Sequence, residues 1–267
     1  MSEKTAARRA TYPGSLDELP NRELVEDRYT LRFARSWDDL DRVLRLRFEV
    51  FNLELGEGLD SSVEQGLDLD PFDPVCHHLM VIEGSSGRIV GTYRLQTCSM
   101  AERNQGFYSD IEFDLSQLPL EIREQSLELG RACVAKEHRN TNVLFLLWKG
   151  LATYVATNRK RYLFGCSSLT SQDPQDAQAL ERYLDEYDHF HPHIRIPARS
   201  EFECYPSDFS PDPKARIRVP PLFRTYLRHG AKVCSEPAID RDFKTIDFLI
   251  LFDIAAMDQK MFDTFFD

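Results

Sequence analysis

A glutamate and an arginine stand three residues apart in an otherwise apolar stretch: Glu128 and Arg131 in LELGRACV, residues 127–134. Interior strands rarely accept such groups, because an uncompensated buried charge costs several kcal/mol. Charges kept there pair with each other or face a substrate. The stretch runs into a basic turn that ends at Arg139, and then into a long apolar segment. A strand that delivers polar groups, followed by a turn whose backbone amides open a helix, is a phosphate-binding arrangement. The combination points to an enzyme that handles a phosphate-bearing carrier. A second polar cluster, Asp68, Asp70 and Asp73 in DLDPFD, has residue types that suit a cation site and a tight turn equally. The glycine and terminal glutamate of a calcium loop are missing.

These residues need elements to hold them. Residues 29–35 alternate like a strand, and Ser36 caps a helix with Asp38 and Asp39 in its first turn. Leu40, Val43, Leu44, Phe48 and Phe51 form the helix's apolar stripe. Residues 78–83 and 88–98 read as a hairpin, 127–135 as a strand and 141–159 as a helix. A strand at 162–169, helices near 174–187 and 221–229, and closing strands at 232–235 and 245–253 complete the pattern. The result is an α+β chain with a mixed, mainly antiparallel central sheet and helices on both faces, an α-β-α sandwich. Residues 1–27, polar and punctuated by Pro and Gly, read as a flexible N-terminal arm. Residues 28–189 read as the core, and 190–267 as a C-terminal extension that packs on the core and completes it.

The formal net charge of −11 argues against general nucleic-acid binding. The charge is uneven, with seven Lys/Arg against one acidic residue between 131 and 161, which suits an acidic partner or anionic lipid. Six scattered cysteines without a CxxC pair read as free thiols, not a zinc site. The alternating histidines His189, His191 and His193 lack a companion ligand spacing, so no metal is expected. No apolar run approaches the roughly 18 residues that cross a bilayer, and the N-terminus has no signal core, so a cytoplasmic protein is expected.

The segments RFEVFNLELG, DLDPFDPVCHHLMV, GRIVGTYRLQ, GFYSDIEFDL, LELGRACV and YLFGCSSL occur in this order. Together they resemble the GNAT acyltransferases, and within them the ornithine-lipid branch, the "hemolysin-like" N-acyltransferases that take their acyl group from acyl carrier protein. The C-terminal PPLFRTYLRHGAKVCSEPAIDRDFKTIDFLILFDI is similar to that branch's tail. Acyl-homoserine-lactone synthases are more distant relatives. Their charged pattern can be matched to Arg47, Phe51, Asp70, Asp73, Arg94, Glu128 and Arg131, but Leu53-Glu54-Leu55 stands where their tryptophan is expected.

The resemblance implies an N-acyltransferase that moves a fatty or 3-hydroxy-fatty acyl group to an amino acid's α-amine, with ornithine the leading acceptor. Signal synthesis, or a non-catalytic acyl-binding or lytic protein, are the alternatives. Glu128 would be the general base, with Arg131 beside it; the plainer role for both is to pair with Arg94 or Asp70. Amides near Cys133 and Val134 would face the oxyanion. Arg94, Arg139 and the amides at Asn142 would serve the donor. Arg47, Phe51, Asp70 and Asp73 would form the acceptor side. Lys136 and His138 read as surface residues. The superfamily's phosphate loop carries glycines, but here Arg139 is followed by Asn140, Thr141, Asn142, Val143 and Leu144. That favours the single phosphate of a carrier-protein arm over coenzyme A, and no tightly bound cofactor is expected. The lyso-aminolipid product implies contact with the inner membrane surface and a separate O-acyltransferase.

Overall fold

The computed structural model describes residues 12–266. It divides into two compact units. One contains Met1–Gly106, Leu127–Lys160 and Lys260–Asp267; the other contains Phe107–Ser126 and Arg161–Gln259. The chain enters the second unit twice, at Phe107 and again at Arg161.

The first unit is built on strands β1 (Leu24–Glu26), β2 (Tyr29–Phe33), β3 (His77–Glu83), β4 (Ile89–Thr97) and β5 (Ser126–Val134). They pair antiparallel in that order. Helix α1 (Trp37–Phe48) is capped by Ser36, whose side chain accepts from the Asp39 amide, and continues into a π-helical turn over Glu49–Glu54. Helix α2 (Cys98–Arg103) is short, and α3 (Thr141–Asn158) is the long apolar helix expected from the sequence.

Strand periodicity separates two faces of this sheet. Leu31, Phe33, Leu79, Val81, Tyr93 and Leu95, all buried, share the face under α3. Gly150 is what lets that helix sit so close. A Cβ there would stand 2.7 Å from Leu79 methyls and 2.8 Å from a Leu31 methyl. The opposite face, toward α1, carries His78, Arg94 and Gln96, and it is the face on which charges collect.

Within residues 12–27, read from the sequence as a flexible arm, Tyr12, Pro13, Leu19 and Pro20 are buried and Leu24–Glu26 pair as a strand; residues 1–11 lie outside the described residues. Glu18 accepts from Thr97, Ser99 and Arg103. The imidazole of His77 lies 2.7 Å from the Tyr154 hydroxyl and 2.9 Å from the Gly14 carbonyl. A carbonyl can only accept, so Nε2 carries the proton and Nδ1 accepts from tyrosine. Burial lowers this histidine's pKa to about 4. Strand pairing and a few large side chains anchor a segment whose polar composition suggested freedom. The C-terminal helix Gln259–Phe266 sets Phe265 against Phe145 and Trp148 of α3.

The second unit pairs β6 (Tyr162–Leu169) with β9 (Thr245–Asp253) along their whole lengths. β9 also takes β7 (Lys232–Val233) and β8 (Ala238–Asp240). Helices α4 (Pro174–Glu186) and α5 (Pro221–Arg228) supply Leu180, Leu184, Phe223 and Leu227 to a core shared with Ile246, Phe248 and Ile250. His191 accepts from the His193 and Ile194 amides and so shapes a turn. Glu112, Cys166 and Asp247 each place a ligand-type atom within 4.8 Å of the others. Among the described residues, no helix is long and apolar enough to cross a membrane.

Candidate active site

The site is a buried ionic network on the α1 face of the first unit's sheet. Arg47, from the last turn of α1, is fully buried. Its Nε donates to Asp68 at 2.7 Å, and its two terminal nitrogens donate to Asp73 at 2.6 and 3.2 Å. Arg94 of β4 donates to Asp70 at 2.5 Å and to Asp73 at 3.1 Å. Arg131 donates to Asp70 at 3.1 Å and sits 3.5 Å from Asp68. Three guanidiniums therefore meet three carboxylates, which is the condition under which such charges can stay ionised away from water. Asp73 shows the result. Burial alone would raise its pKa, but Arg47 and Arg94 hold it well below the usual carboxylate range.

The loop that carries the aspartates is also a turn. Asp70 Oδ1 accepts from the Phe72 and Asp73 amides, and the Asp70 amide donates to Asp73 Oδ2 at 2.8 Å. The turn reading holds, and the cations these aspartates meet are the chain's own arginines. Behind the hub, His78 Nε2 lies 3.2 Å from Asp73 Oδ1, and its Nδ1 lies 2.9 Å from the Tyr12 hydroxyl. A carboxylate only accepts, so Nε2 carries the proton and Tyr12 donates to Nδ1. Burial keeps this imidazole neutral by lowering its pKa, against the pull of Asp73. Neither residue stands out in the sequence alone. A signal exists only for His78, which lies two residues from Met80 and pairs with Arg94 across the hairpin.

Arg131 reaches the network through a defect in the sheet. Strict alternation would put Glu128 and Arg131 on opposite faces of β5. The register between β4 and β5 shifts between Thr92 and Arg94, and Arg131 sits at φ 48°. One extra residue thus enters β5, and such a bulge re-aims the side chain it carries. Glu128 precedes the bulge, opposite Gln96 in register, and is 5% exposed. Cys76 lies in the field of Glu128, Arg94, Asp70 and Asp73, and burial raises its thiol well above the ordinary range.

Arg47 and Asp73 are fully buried, Arg47 against Asp68 and Asp73, and Asp73 against Arg47, Arg94 and His78. Phe51 is buried in the π-helical turn. Asp70 is committed to Arg94 and Arg131. Cys133 pairs with Thr92, and Ala135 donates to Val90, so ladder alternation turns the Cys133 amide toward β4 and away from an oxyanion. Its thiol is raised to about 12 by burial, which excludes a thiolate at neutral pH. Val134, one residue on, presents its amide to the other edge of β5, and its carbonyl accepts from Arg139 Nε at 3.1 Å.

The turn between β5 and α3 holds the remaining expected residues. Asn140 is the N-cap of α3, and its side chain accepts from the Val143 amide. Asn142 is half-buried in the first helical turn. Arg139 precedes the cap and makes a two-pronged pair with Glu54, both contacts at 2.7 Å. His138 is buried instead of superficial, with Nδ1 3.0 Å from the Tyr29 hydroxyl, which in turn accepts from Asn140.

Residues 46–149 match a family model described as an acetyltransferase (GNAT) domain. The chain is 34% identical to the L-ornithine N(alpha)-acyltransferase of Rhodobacter capsulatus over 87% of its length and 92% of the relative's. It is 34% identical to the enzyme of that name from Brucella abortus, over 86% of each chain. Among solved structures, an N-acyl amino acid synthase from uncultured soil microbes superposes with a TM-score of 0.51 at 10% identity. That match covers 87% of this chain and 95% of the other, and supports the fold alone. With the bulged β5, the capped α3 and the antiparallel sheet in place, these likenesses show that the chain belongs to the L-ornithine N(alpha)-acyltransferase family and is an N-acyltransferase of GNAT fold.

Proposed function

We propose that this enzyme transfers a fatty or 3-hydroxy-fatty acyl group from acyl carrier protein to the α-amine of L-ornithine, with Glu128 as the general base. The observation that carries this reading is the buried carboxylate of Glu128 on β5, placed on the sheet face that also carries the network of Arg47, Arg94 and Arg131 with Asp68, Asp70 and Asp73. The ammonium gives one proton to Glu128, directly or through water. The freed lone pair attacks the thioester carbonyl, the C–S bond breaks, and a second amine proton leaves with the thiol. Arg139 and the first-turn amides of α3 would hold the donor's phosphate. The glycine-free turn supports a single phosphodiester over a pyrophosphate, and hence a carrier protein as donor. The product is a lyso-aminolipid, so a separate O-acyltransferase completes the lipid and release takes place at the inner membrane surface.

The test supplies purified enzyme with 3-hydroxyacyl carrier protein or 3-hydroxyacyl coenzyme A, each with a panel of amino acids, and follows thiol release. Carrier protein with ornithine is expected to turn over fastest. Turnover with S-adenosylmethionine and none with ornithine would replace the reading by lactone synthesis. Glu128→Gln should lower the rate about 10²-fold or more; a near-normal rate in a folded variant removes Glu128 from the role of base.

A further inference from the structure

Residues 213–235 hold six Lys/Arg and no acidic residue, in a chain whose formal net charge is −11. The whole stretch lies in the second unit. Lys232 pairs with Asp188 at 3.4 Å. The other five, Lys214, Arg216, Arg218, Arg224 and Arg228, are exposed and make no ion pair among the described residues. Arg161, Arg195 and Arg199 of the same unit are each matched by a carboxylate, so the bare stretch is a local feature. Packing explains which side it faces. Val219, Phe223 and Leu227 are buried in the unit's core and Ile217 packs against it, which leaves the arginines between them outside. Arg224 and Arg228 stand one turn apart on α5, a spacing at which like charges repel. Two more cations are held together beside them in sequence. Arg182 of α4 donates to the Ala215 carbonyl at 2.7 Å, and Arg216 donates to the same oxygen at 3.1 Å. The acid nearest in sequence, Asp212, is turned to the backbone, where Oδ1 accepts from the Lys214 amide. Two guanidiniums thus share one neutral acceptor, an arrangement that an outside anion relieves.

Given release of the product at the membrane surface, on which this assignment rests, we propose that this face of the second unit binds the phosphate headgroups of an anionic lipid bilayer. Its chemistry fits a bilayer better than a protein. Stable protein interfaces keep an apolar or aromatic centre, whereas Phe223 and Leu227 are 1% and 4% exposed and no large apolar side chain between 213 and 228 is exposed. Adsorption to anionic lipid needs only cations spread over a surface, each strengthening binding roughly fivefold. Arginine, which supplies four of the five bare cations, also meets phosphate through two parallel N–H bonds. Contact of this kind is reversible and weakens with salt, so the enzyme would meet the bilayer without inserting into it.

The experiment sediments the full-length enzyme with vesicles of phosphatidylcholine alone, and with vesicles of phosphatidylcholine and phosphatidylglycerol in equal parts, at low salt. Two double variants, Arg216→Gln with Arg218→Gln and Arg224→Gln with Arg228→Gln, are set against Arg45→Gln with Arg88→Gln, which removes the same charge from paired arginines of the first unit. Wild-type enzyme should bind the anionic vesicles and not the neutral ones. Each variant of the second unit should lose about 25-fold in that affinity, and the first-unit control less than about threefold. Equal binding by wild type and both second-unit variants overturns the proposal. So does an equal loss in the control, which would leave net charge alone as the cause. If vesicle binding persists in the variants while their KM for acyl carrier protein rises, the face docks the carrier protein instead. Failure of wild-type enzyme to bind either vesicle would remove the membrane-surface reading as well, whereas wild-type binding with unaffected variants removes only this face.

Discussion

Arg47 and Arg139 make nearly the same contact in different surroundings. Each grips a carboxylate through two nitrogens, at 2.6 and 3.2 Å for Arg47 with Asp73 and at 2.7 Å twice for Arg139 with Glu54. The Arg47–Asp73 pair is fully buried, whereas the side chains of Arg139 and Glu54 are 43% and 23% exposed. Geometry does not distinguish them; water does. A buried pair cannot lose one member without stranding the other, and an exposed pair exchanges partners at small cost. The first arginine is therefore framework, and the second can change partners, as its proposed role toward the donor's phosphate requires.

The contrast breaks most decisively at its buried end. Arg47→Met should lower the unfolding free energy by about 3–5 kcal/mol in urea titrations, because Asp68 and Asp73 keep their charges without their principal counter-ion. A loss below about 1 kcal/mol would mean water reaches the network.

Acid supplies a second probe of the same unit. His77 has a folded-state pKa of about 4 against 6.5 when unfolded. Between those values the unfolded chain binds the proton first, so this group's contribution is whole above pH 6.5 and fades as pH falls toward 4. The loss is about 3 kcal/mol. His77→Gln, which retains a donor and an acceptor, should flatten that part of the stability profile; an unaltered slope would assign the acid sensitivity elsewhere.

Smaller effects belong to the exposed pair. Arg139→Met should raise the KM for the acyl donor about tenfold while shifting stability by less than about 1 kcal/mol. Glu54→Gln should do the reverse and lower the donor KM about two- to threefold, since a phosphate would no longer compete with a carboxylate for the guanidinium. If both variants melt early and leave donor kinetics alone, Arg139 belongs with Arg47.

The elements that position the site were readable because they rest on local rules. The cap at Ser36, the hairpin around Gly84 to Gly87 and the apolar run of α3 are short-range patterns. The charged residues were also readable by type, since Arg47, Asp70, Asp73, Arg94, Glu128 and Arg131 come together as an oddly polar interior. Their division of labour was not. Whether Asp73 faces a substrate or two arginines depends on contacts 21 and 26 residues away in sequence. The bulge that turns Arg131 onto the side of Arg94 is marked only by Gly130 in the strand, which does not say which side chain is re-aimed, and the spacing of Glu128 and Arg131 alone argues for opposite faces. Tyr12 and His78 stayed hidden for a related reason, because one buried tyrosine in a polar segment leaves no periodicity.

Gly150 takes no part in the ionic network, yet under the proposed function it acts as a spacer that sets where the donor is held. It lies nine residues after Thr141, about 14 Å along the helix axis, and the sheet beneath it leaves no room for a methyl group. Any larger residue there would lift α3 off Leu79 and Leu31, and the rigid helix would carry its own N-terminus with it. Arg139 and the amides behind Asn140 would then move relative to β5 with no change in their chemistry. In the proposed reading, the reach between a phosphate at the helix end and a thioester at the strand is thus a length ruled by one missing side chain in the core.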